Sequence, residues 1–428
     1  MNKPPYRVPL MSEIAAFQKN GFKVISTFSG CGGSSLGYKM AGFDVVMANE
    51  FIPAAQETYR ANHPTTILEC RDIRKVTAEE ILAASGLKVG ELDLFDGSPP
   101  CSSFSTAGIR EKGWGKTKAY SDLKGGQRTD DLFFEYARLV KDLQPKVFVA
   151  ENVKGLTIGV AKEVLGSPQL NMFGGEKFTN KEGEETISKK DSETILHTLM
   201  DCGYKVGLRV LNAADLGVPQ SRNRAIFVGV RNDLVKKFDV EPCWPSALGY
   251  VYTIRDAIPW ITKAVHDTSG LFSQGDVTNK PCPAITVGIN SLNSCHYKVE
   301  AESDISRYAT GAEWDKLQVG EQSEKYFSLI KTDPELPCPT ICASHGSGGI
   351  ASTTHPFEKR KFSIAELRRI CGFPDDFILT GSYQQQWERL GRAVPPVMMS
   401  HIAACVRDKI LNKIRDAEAA EKLQQPLI

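Results

Sequence analysis

Along the first third of the chain, short apolar runs alternate with longer amphipathic stretches. Residues 23–28 (KVISTF) form an apolar, partly β-branched run that enters the Gly-rich turn 29–33, and helical spacing follows from Ser34 to Met40. Residues 43–50 repeat the strand pattern and end on an acid, and the stretch holding Ala54, Ala55 and Tyr59 has helical spacing. Residues 92–96 (LDLFD) read as a strand running into Gly97-Ser98-Pro99-Pro100-Cys101. An amphipathic helix spans 130–143, Pro145 breaks it, and 146–151 (KVFVAE) is another strand. Short strands separated by helices predict right-handed βαβ units and a parallel sheet. After Glu151 the periodicity loosens. Residues 157–190 are polar and Gly-rich, an exposed insertion, and 225–230 (AIFVGV) is a clear strand. From about 235 to 355 the chain is rich in Pro, Ser, Thr and Gly with few long periodic runs, which predicts a second, irregular unit. Two similar stretches there, KPCPAIT from Lys280 and LPCPTIC from Leu336, read as Pro-bounded strand starts. Beyond Arg389, Pro395-Pro396 precedes a helix to about Lys422.

Composition narrows the class. A chain of 428 residues carries two to three compact units. With 41% hydrophobic and 24% charged residues it is ordinary globular material, which excludes wholesale disorder. Neither an apolar run long enough to span a membrane nor a secretory leader is present, so a soluble cytoplasmic protein is expected. The formal net charge of +1 neither supports nor excludes a nucleic-acid partner, because a neutral total can hide a basic cleft. The 11 cysteines are odd in number and include no CxxC pair, so reduced thiols are expected, with no disulfide framework and no metal.

Four motifs carry candidate chemistry. In Phe28-Ser29-Gly30-Cys31-Gly32-Gly33, a strand, glycines and a helix start aim backbone N–H groups at a ligand. The GxGG spacing differs from a dinucleotide fingerprint, and no Lys-Ser/Thr follows to make a P-loop. Glu50, twenty residues after Gly30, closes the next strand, where a carboxylate can accept from both hydroxyls of a ribose. In Ser98-Pro99-Pro100-Cys101, the thiol lies past a strand end and two prolines fix the backbone before it, as suits a directed nucleophile; a buried inert cysteine is the alternative. Ala150-Glu151-Asn152-Val153 puts a carboxylate at the end of the next strand, either for chemistry or as a solvated cap. Gln220-Ser221-Arg222-Asn223-Arg224 alternates so that both arginines share a face, for anion recognition or for edge-strand solubility.

Taken in this order, the motifs resemble those of the DNA (cytosine-5) methyltransferase family, over residues 22–156, 210–232 and 355–405. FSGCGG resembles the family's first motif, SPPCSSFS its catalytic Pro-Cys motif, AENVKGL its Glu-Asn-Val motif and QSRNR its Gln-x-Arg-x-Arg motif. RKFSIAELRRICGFPDDF leads into GRAVPP, which resembles the last motif except that Arg392 stands where Asn is usual.

The resemblance implies a seven-stranded, mostly parallel α/β S-adenosylmethionine-dependent methyltransferase sheet. Its catalytic domain would span 1–234 and 356–428, with a target-recognition domain at 235–355. It implies that Cys101 attacks C6 of a flipped cytosine, that Glu151 assists as an acid, that Asn152 holds the turn, and that Arg222 and Arg224 contact the base and brace the site. S-adenosyl-L-methionine would lie against Phe28, Ser29, Gly30, Cys31, Gly32, Gly33, Glu50, Phe51, Asp72, Ile73, Ser98, Pro100 and Val394. Double-stranded DNA would be the partner of a monomer, with a cognate restriction endonuclease where the chain serves a restriction-modification system. Residues 109–128, with six basic and two acidic side chains and several glycines, suit a loop that closes over phosphates. A nicotinamide-dependent oxidoreductase, a tRNA-directed relative and a non-catalytic relative are the competing readings.

Overall fold

The computed structural model describes residues 3–100, 132–153, 196–261 and 299–424, and the backbone of 118–120 and 123–127. Cys101, the insertion 157–190, the Lys280 stretch and most of the basic loop 109–128 lie outside the described residues. Of that loop, Lys118–Tyr120 and Leu123–Gln127 pair as a short antiparallel hairpin.

Seven strands form one sheet: β1 (Lys23–Thr27), β2 (Asp44–Asn49), β3 (Ile67–Glu69), β4 (Leu94–Gly97), β5 (Val147–Val153), β6 (Tyr204–Asn212) and β7 (Asn223–Arg231). Their order is β3-β2-β1-β4-β5-β7-β6. Strands β1 to β5 pair in parallel, and β7 runs antiparallel to both neighbours. The central strands are buried on both faces, which is why they read as continuous apolar runs. On one face Val24, Leu94, Val147 and Val149 pack with Tyr38, Met398 and Met399; on the other Ile25, Phe95, Phe148 and Ala150 pack with Phe133, Tyr136 and Val140.

Helices α1 (Gly33–Met40), α2 (Pro53–Asn62) and α3 (Leu132–Leu143) follow β1, β2 and the basic loop. The C-terminal part adds α4 (Ile364–Ile370), α5 (Tyr383–Arg392), α6 (Pro396–Val406) and α7 (Asn412–Gln424). Ser363 and Ser382 cap α4 and α5 through reciprocal bonds with Glu366 and Gln385. Helix α6 returns to the sheet and packs on α1. A Cβ on Gly37 would lie 2.5 Å from Met399 Cβ, and one on Gly33 would lie 2.3 Å from the Val394 carbonyl oxygen.

Two elements differ from the sequence reading. Strand β5 continues through Val153, so Glu151 and Asn152 lie within it, because β7 pairs along its whole length, Val153 opposite Arg224. Strand β6 was not anticipated: it is an edge strand, only partly buried, and Lys205, Gly207 and Arg209 break its apolar pattern.

Residues beyond β7 divide by packing. Val240, Cys243 and Trp244 join the core against the sheet, and Ile254, Ala257, Ile258 and Ile261 join Cys338, Ile341, Leu367 and Trp387. Ile305, Trp314, Leu317 and Leu329 form a separate small core, with Lys331 Nζ 3.6 Å above the Trp314 ring. Leu336–Cys342 is more than a strand start. Cys338 bridges in parallel to Gln220, so this stretch docks on the chain that leads into β7.

Candidate active site at the carboxyl edge of the sheet

The Gly-rich turn follows β1 directly. Phe28, Gly30 and Gly32 all have positive φ (54°, 56° and 93°), a conformation natural to glycine and strained for Phe28. The next strand's acid holds this turn from the side. Glu50 Oε2 accepts from Gly30 N at 2.7 Å and Oε1 from Ile52 N at 2.7 Å. Each oxygen keeps a further acceptor lone pair. Burial raises the Glu50 pKa above the usual carboxylate value, and the backbone N–H groups pull it back.

The other predicted cofactor residues divide by environment. Cys31 is buried in the apolar core; burial pushes its thiol up to about 12, and its Sγ faces the Arg389 carbonyl at 3.8 Å. Only its backbone belongs to the turn. Phe51 is half-buried beside Ile52 and Ala55. Asp72 caps a short turn, accepting from Arg74 N at 3.0 Å, and pairs with the Arg74 guanidinium at 2.9 Å. The Ile73 side chain is buried in the core on the α3 side of the sheet, and its carbonyl accepts from Arg138 at 3.1 Å. Val394 is buried, with its carbonyl oxygen above Gly33. Arg392 pairs with Glu388 at 2.8 Å.

At the end of β4, Ser98 N donates to Thr27 O at 3.4 Å, and Ser98 and Pro100 are half-buried. Asn152 Nδ2 donates to Pro99 O at 3.1 Å, so it pins the Pro-Pro turn that leads to Cys101, while its own Oδ1 accepts from Val153 N at 2.8 Å. Glu151 is buried and pairs with Arg224 Nε at 2.6 Å. Arg222 is buried as well but turns elsewhere, donating to Ile341 O at 3.2 Å and Gly391 O at 2.9 Å. Burial, with the neighbouring Arg224 charge, lowers its pKa to about 9. The two arginines therefore divide the work the sequence assigned to them jointly. Arg224 meets the carboxylate, and Arg222 ties the start of β7 to the chain near Ile341 and to α5.

Several residues of this edge escaped the sequence reading. Trp387 Nε1 donates to Cys342 O at 2.9 Å, and a Cβ on Gly391 would lie 2.7 Å from Ala343, so α5 and residues 341–346 are in close contact. Asp96 is fully buried on β4. Its signal was present in LDLFD, where Leu92, Leu94 and Asp96 alternate onto one face and the last is acidic.

A carboxylate–guanidinium pair, a pinned Pro-Pro turn and a glycine turn backed by an acid thus share one sheet edge, where open α/β folds bind ligands. The model of the C-5 cytosine-specific DNA methylase family matches residues 22–165 and 181–407. The chain belongs to that family. It is 31% identical over 395 residues to Type II methyltransferase M.NgoPII of Neisseria gonorrhoeae, covering 91% of this chain and 96% of that protein. Type II methyltransferase M.FnuDI of Fusobacterium nucleatum is 27% identical over 402 residues, with coverage of 91% and 96%. Among solved structures, a prophage-encoded DNA modification methyltransferase from E. coli superposes with a TM-score of 0.61 at 21% identity, over 92% of this chain and all of that one. Spodoptera frugiperda DNMT2 superposes with a TM-score of 0.53 at 16% identity, over 92% and 100%. These two share the fold. As a member of the family, the chain is a DNA cytosine-5 methyltransferase with a seven-stranded methyltransferase sheet. Among the described residues, no helix is long and apolar enough to cross a membrane, and no cluster of His, Cys, Asp or Glu could hold a metal ion.

Proposed function

We propose that this chain methylates C5 of a cytosine flipped out of duplex DNA, with S-adenosyl-L-methionine as donor and Cys101 as nucleophile. The observation that carries the reading is the Asn152–Pro99 hydrogen bond at 3.1 Å. It joins the Glu-Asn-Val strand to Pro99, two residues before Cys101 in the sequence, and so ties the start of the Pro-Cys motif to the strand that carries Glu151.

The residues fit the donor. Gly30 and Gly32 give a cradle without side chains, and Glu50 holds two unused acceptor positions at its rim, as a ribose with two hydroxyls requires. Asp72 would serve the adenine side, and Ser98, Pro100 and Val394 would line the remainder. When bound, the donor supplies an electrophilic methyl group. C5 of cytosine is a poor nucleophile, and bonding of the Cys101 thiolate to C6 makes it enamine-like. Glu151, carrying a proton toward N3, offsets the charge that builds on the ring. Arg224 keeps the Glu151 carboxyl oriented, and Arg222 braces the frame behind it. After transfer, with S-adenosyl-L-homocysteine as the leaving group, a base or water takes the C5 proton, the C–H electron pair re-forms the C5–C6 double bond, and Cys101 leaves as thiolate. Extrusion of the base from the stack costs a few kcal/mol.

Residues 1–234 and 356–428 would form the catalytic domain and 235–355 the target-recognition domain. The names of the Type II relatives support a cognate restriction endonuclease, and their bacterial sources support a bacterial or phage setting, where the chain would act in the cytoplasm as a monomer on double-stranded DNA. The test is a duplex containing 5-fluorocytosine, which cannot lose its C5 substituent. With donor present it should form a complex stable to detergent; Cys101→Ser should abolish it, and Cys31→Ala and Cys371→Ala should retain it. A trap that survives Cys101→Ser refutes the assignment.

A further inference from the structure

A buried carboxyl lies beneath both halves of the site and has no part in the chemistry above. Asp96, on β4, is 1% exposed. Register sets it beside Ser26 of β1 and Val149 of β5. Val24, Leu94 and Val149 pack in one core on one face of the sheet, and Ser26, Asp96 and Glu151 are the next residues along their strands on that face. Asp96 Oδ2 accepts from Ser26 Oγ at 2.7 Å, and Oδ1 accepts from Tyr38 OH at 3.1 Å. Ser29, in the Gly-rich turn, donates through Oγ to Ser26 Oγ at 3.1 Å. Hydrogen bonds therefore run from the turn to Asp96. Three residues further along the chain is Pro99, whose carbonyl Asn152 holds.

Tyr38 on α1 and Glu151 on β5 share the face of Asp96, and Tyr59 on α2 and, across the sheet, Tyr136 on α3 feel its charge through space. Among the described residues no cation pairs with it, and the Arg224 guanidinium is taken by Glu151. Burial raises the Asp96 pKa to about 7, the two hydroxyl donors oppose the rise, and the charge of Glu151 adds to it.

We propose that Asp96 is a positioning residue for methyl transfer: through Ser26 and Tyr38 its carboxyl ties the Gly-rich turn and α1 to the strand that leads into the Pro-Pro turn, on the sheet face that carries Glu151. The proposal rests on the catalytic reading of Glu151. An ionised Asp96 is the stronger acceptor and draws Ser26 and Tyr38 in. A protonated Asp96 relaxes them and removes a negative charge from the face that carries Glu151. The negative charge of Glu151 on the same sheet face favours the protonated form of Asp96.

The experiment is infrared difference spectroscopy of the full chain, stepped in pH, without donor or DNA. A protonated carboxyl absorbs apart from carboxylates. The wild type should lose one such band with a midpoint near neutral pH; Asp96→Asn should lack the band, and Glu151→Gln should move the midpoint down by on the order of one pH unit. The single-turnover rate of duplex methylation should show an inflection at the wild-type midpoint. Asp96→Asn should lack that inflection while its affinity for S-adenosyl-L-homocysteine stays within about threefold of wild type. A midpoint that Glu151→Gln leaves in place overturns the coupling, and an unchanged pH profile in Asp96→Asn overturns the positioning role. If Asp96→Asn does not fold, Tyr38→Phe serves instead. Losing one donor should move band and inflection together to higher pH, and movement of one without the other overturns the proposal. A fully active Glu151→Gln would refute the catalytic reading and leave the infrared result standing, so the two failures are distinguishable.

Discussion

Glu50 has each carboxylate oxygen on a backbone amide, 2.7 Å from Gly30 N and 2.7 Å from Ile52 N, before any ligand arrives. Its removal should therefore act twice. Glu50→Ala should weaken S-adenosyl-L-methionine binding by about 1.5–3 kcal/mol, the worth of hydrogen bonds to a charged group. It should also lower stability, because two amides lose their partner. Calorimetric affinity that stays at the wild-type value would refute the ribose role, whatever happens to stability. Arg222 makes a different case. Its guanidinium reaches two carbonyls on separate segments, Ile341 and Gly391, and a lysine ammonium lacks the planar fork to hold both. Arg222→Lys should lower stability by about 1–3 kcal/mol in urea unfolding. Asp96 gives a pH dependence with a definite sign. It holds its proton more tightly folded than unfolded, so its contribution is complete below the unfolded value of 3.8 and is lost as pH rises through about 7. Asp96→Asn cannot ionise. Urea midpoints across that window should therefore fall for the wild type relative to the variant, and parallel curves would contradict the assignment.

Among the elements, the contact between α1 and α6 governs how the last motif meets the first. Gly37 admits Met399 and the Pro396 carbonyl so closely that a Cβ would lie 2.5 Å and 2.7 Å from them. The obstacle is partly backbone, which cannot swing away. Gly37→Ala should lower stability by about 1–3 kcal/mol, the usual cost of overpacking, despite alanine's better helix propensity. Thermal unfolding measures this; an unchanged or raised midpoint would show that α6 shifts freely. Strand β7 is the other element with a double duty. Its antiparallel pairing with β5 extends β5 past Ala150 and so keeps Glu151 and Asn152 on regular strand backbone, which fixes their directions. The sequence placed both at a strand end because the apolar run stops there, and periodicity cannot register a partner strand more than seventy residues away.

For the whole molecule, the prediction concerns the segment between the catalytic motifs. Its polar, Ser/Thr/Gly/Pro-rich composition suits side chains that follow a DNA groove. The packing says where to cut. Residues 240–261 and 338–346 lie against the catalytic core and α5, whereas Ile305, Trp314, Leu317 and Leu329 form a core of their own. A chimera that exchanges residues 262–335 for those of a relative with a different target should fold and methylate the donor's sites. One that exchanges all of 235–355 should be markedly less stable, because it replaces the apolar side chains of 240–261 and 338–341 that pack in two of the larger cores. An active short chimera that still methylates the parent's sites would show that this segment is not the reader.

What the sequence determined by itself was local. The alternation of apolar runs and helices, the glycines at Gly30 and Gly32, the acid after β2 and the prolines before Cys101 follow from short-range sterics and periodicity, and these define the sheet and mark the proposed site at its carboxyl edge. The motif order carried the family because each motif is a contiguous string. The tertiary structure alone decided which of the two arginines, Arg222 or Arg224, meets Glu151. It also showed that Asn152 holds Pro99 across the sheet, that Ile73 and the Cys31 thiol face the core, and that Asp96 lies buried against Ser26 and Tyr38. Such facts depend on contacts between residues far apart in sequence. A polar side chain's chemistry there is set by what surrounds it once water is excluded, and no run of neighbouring residues encodes that environment.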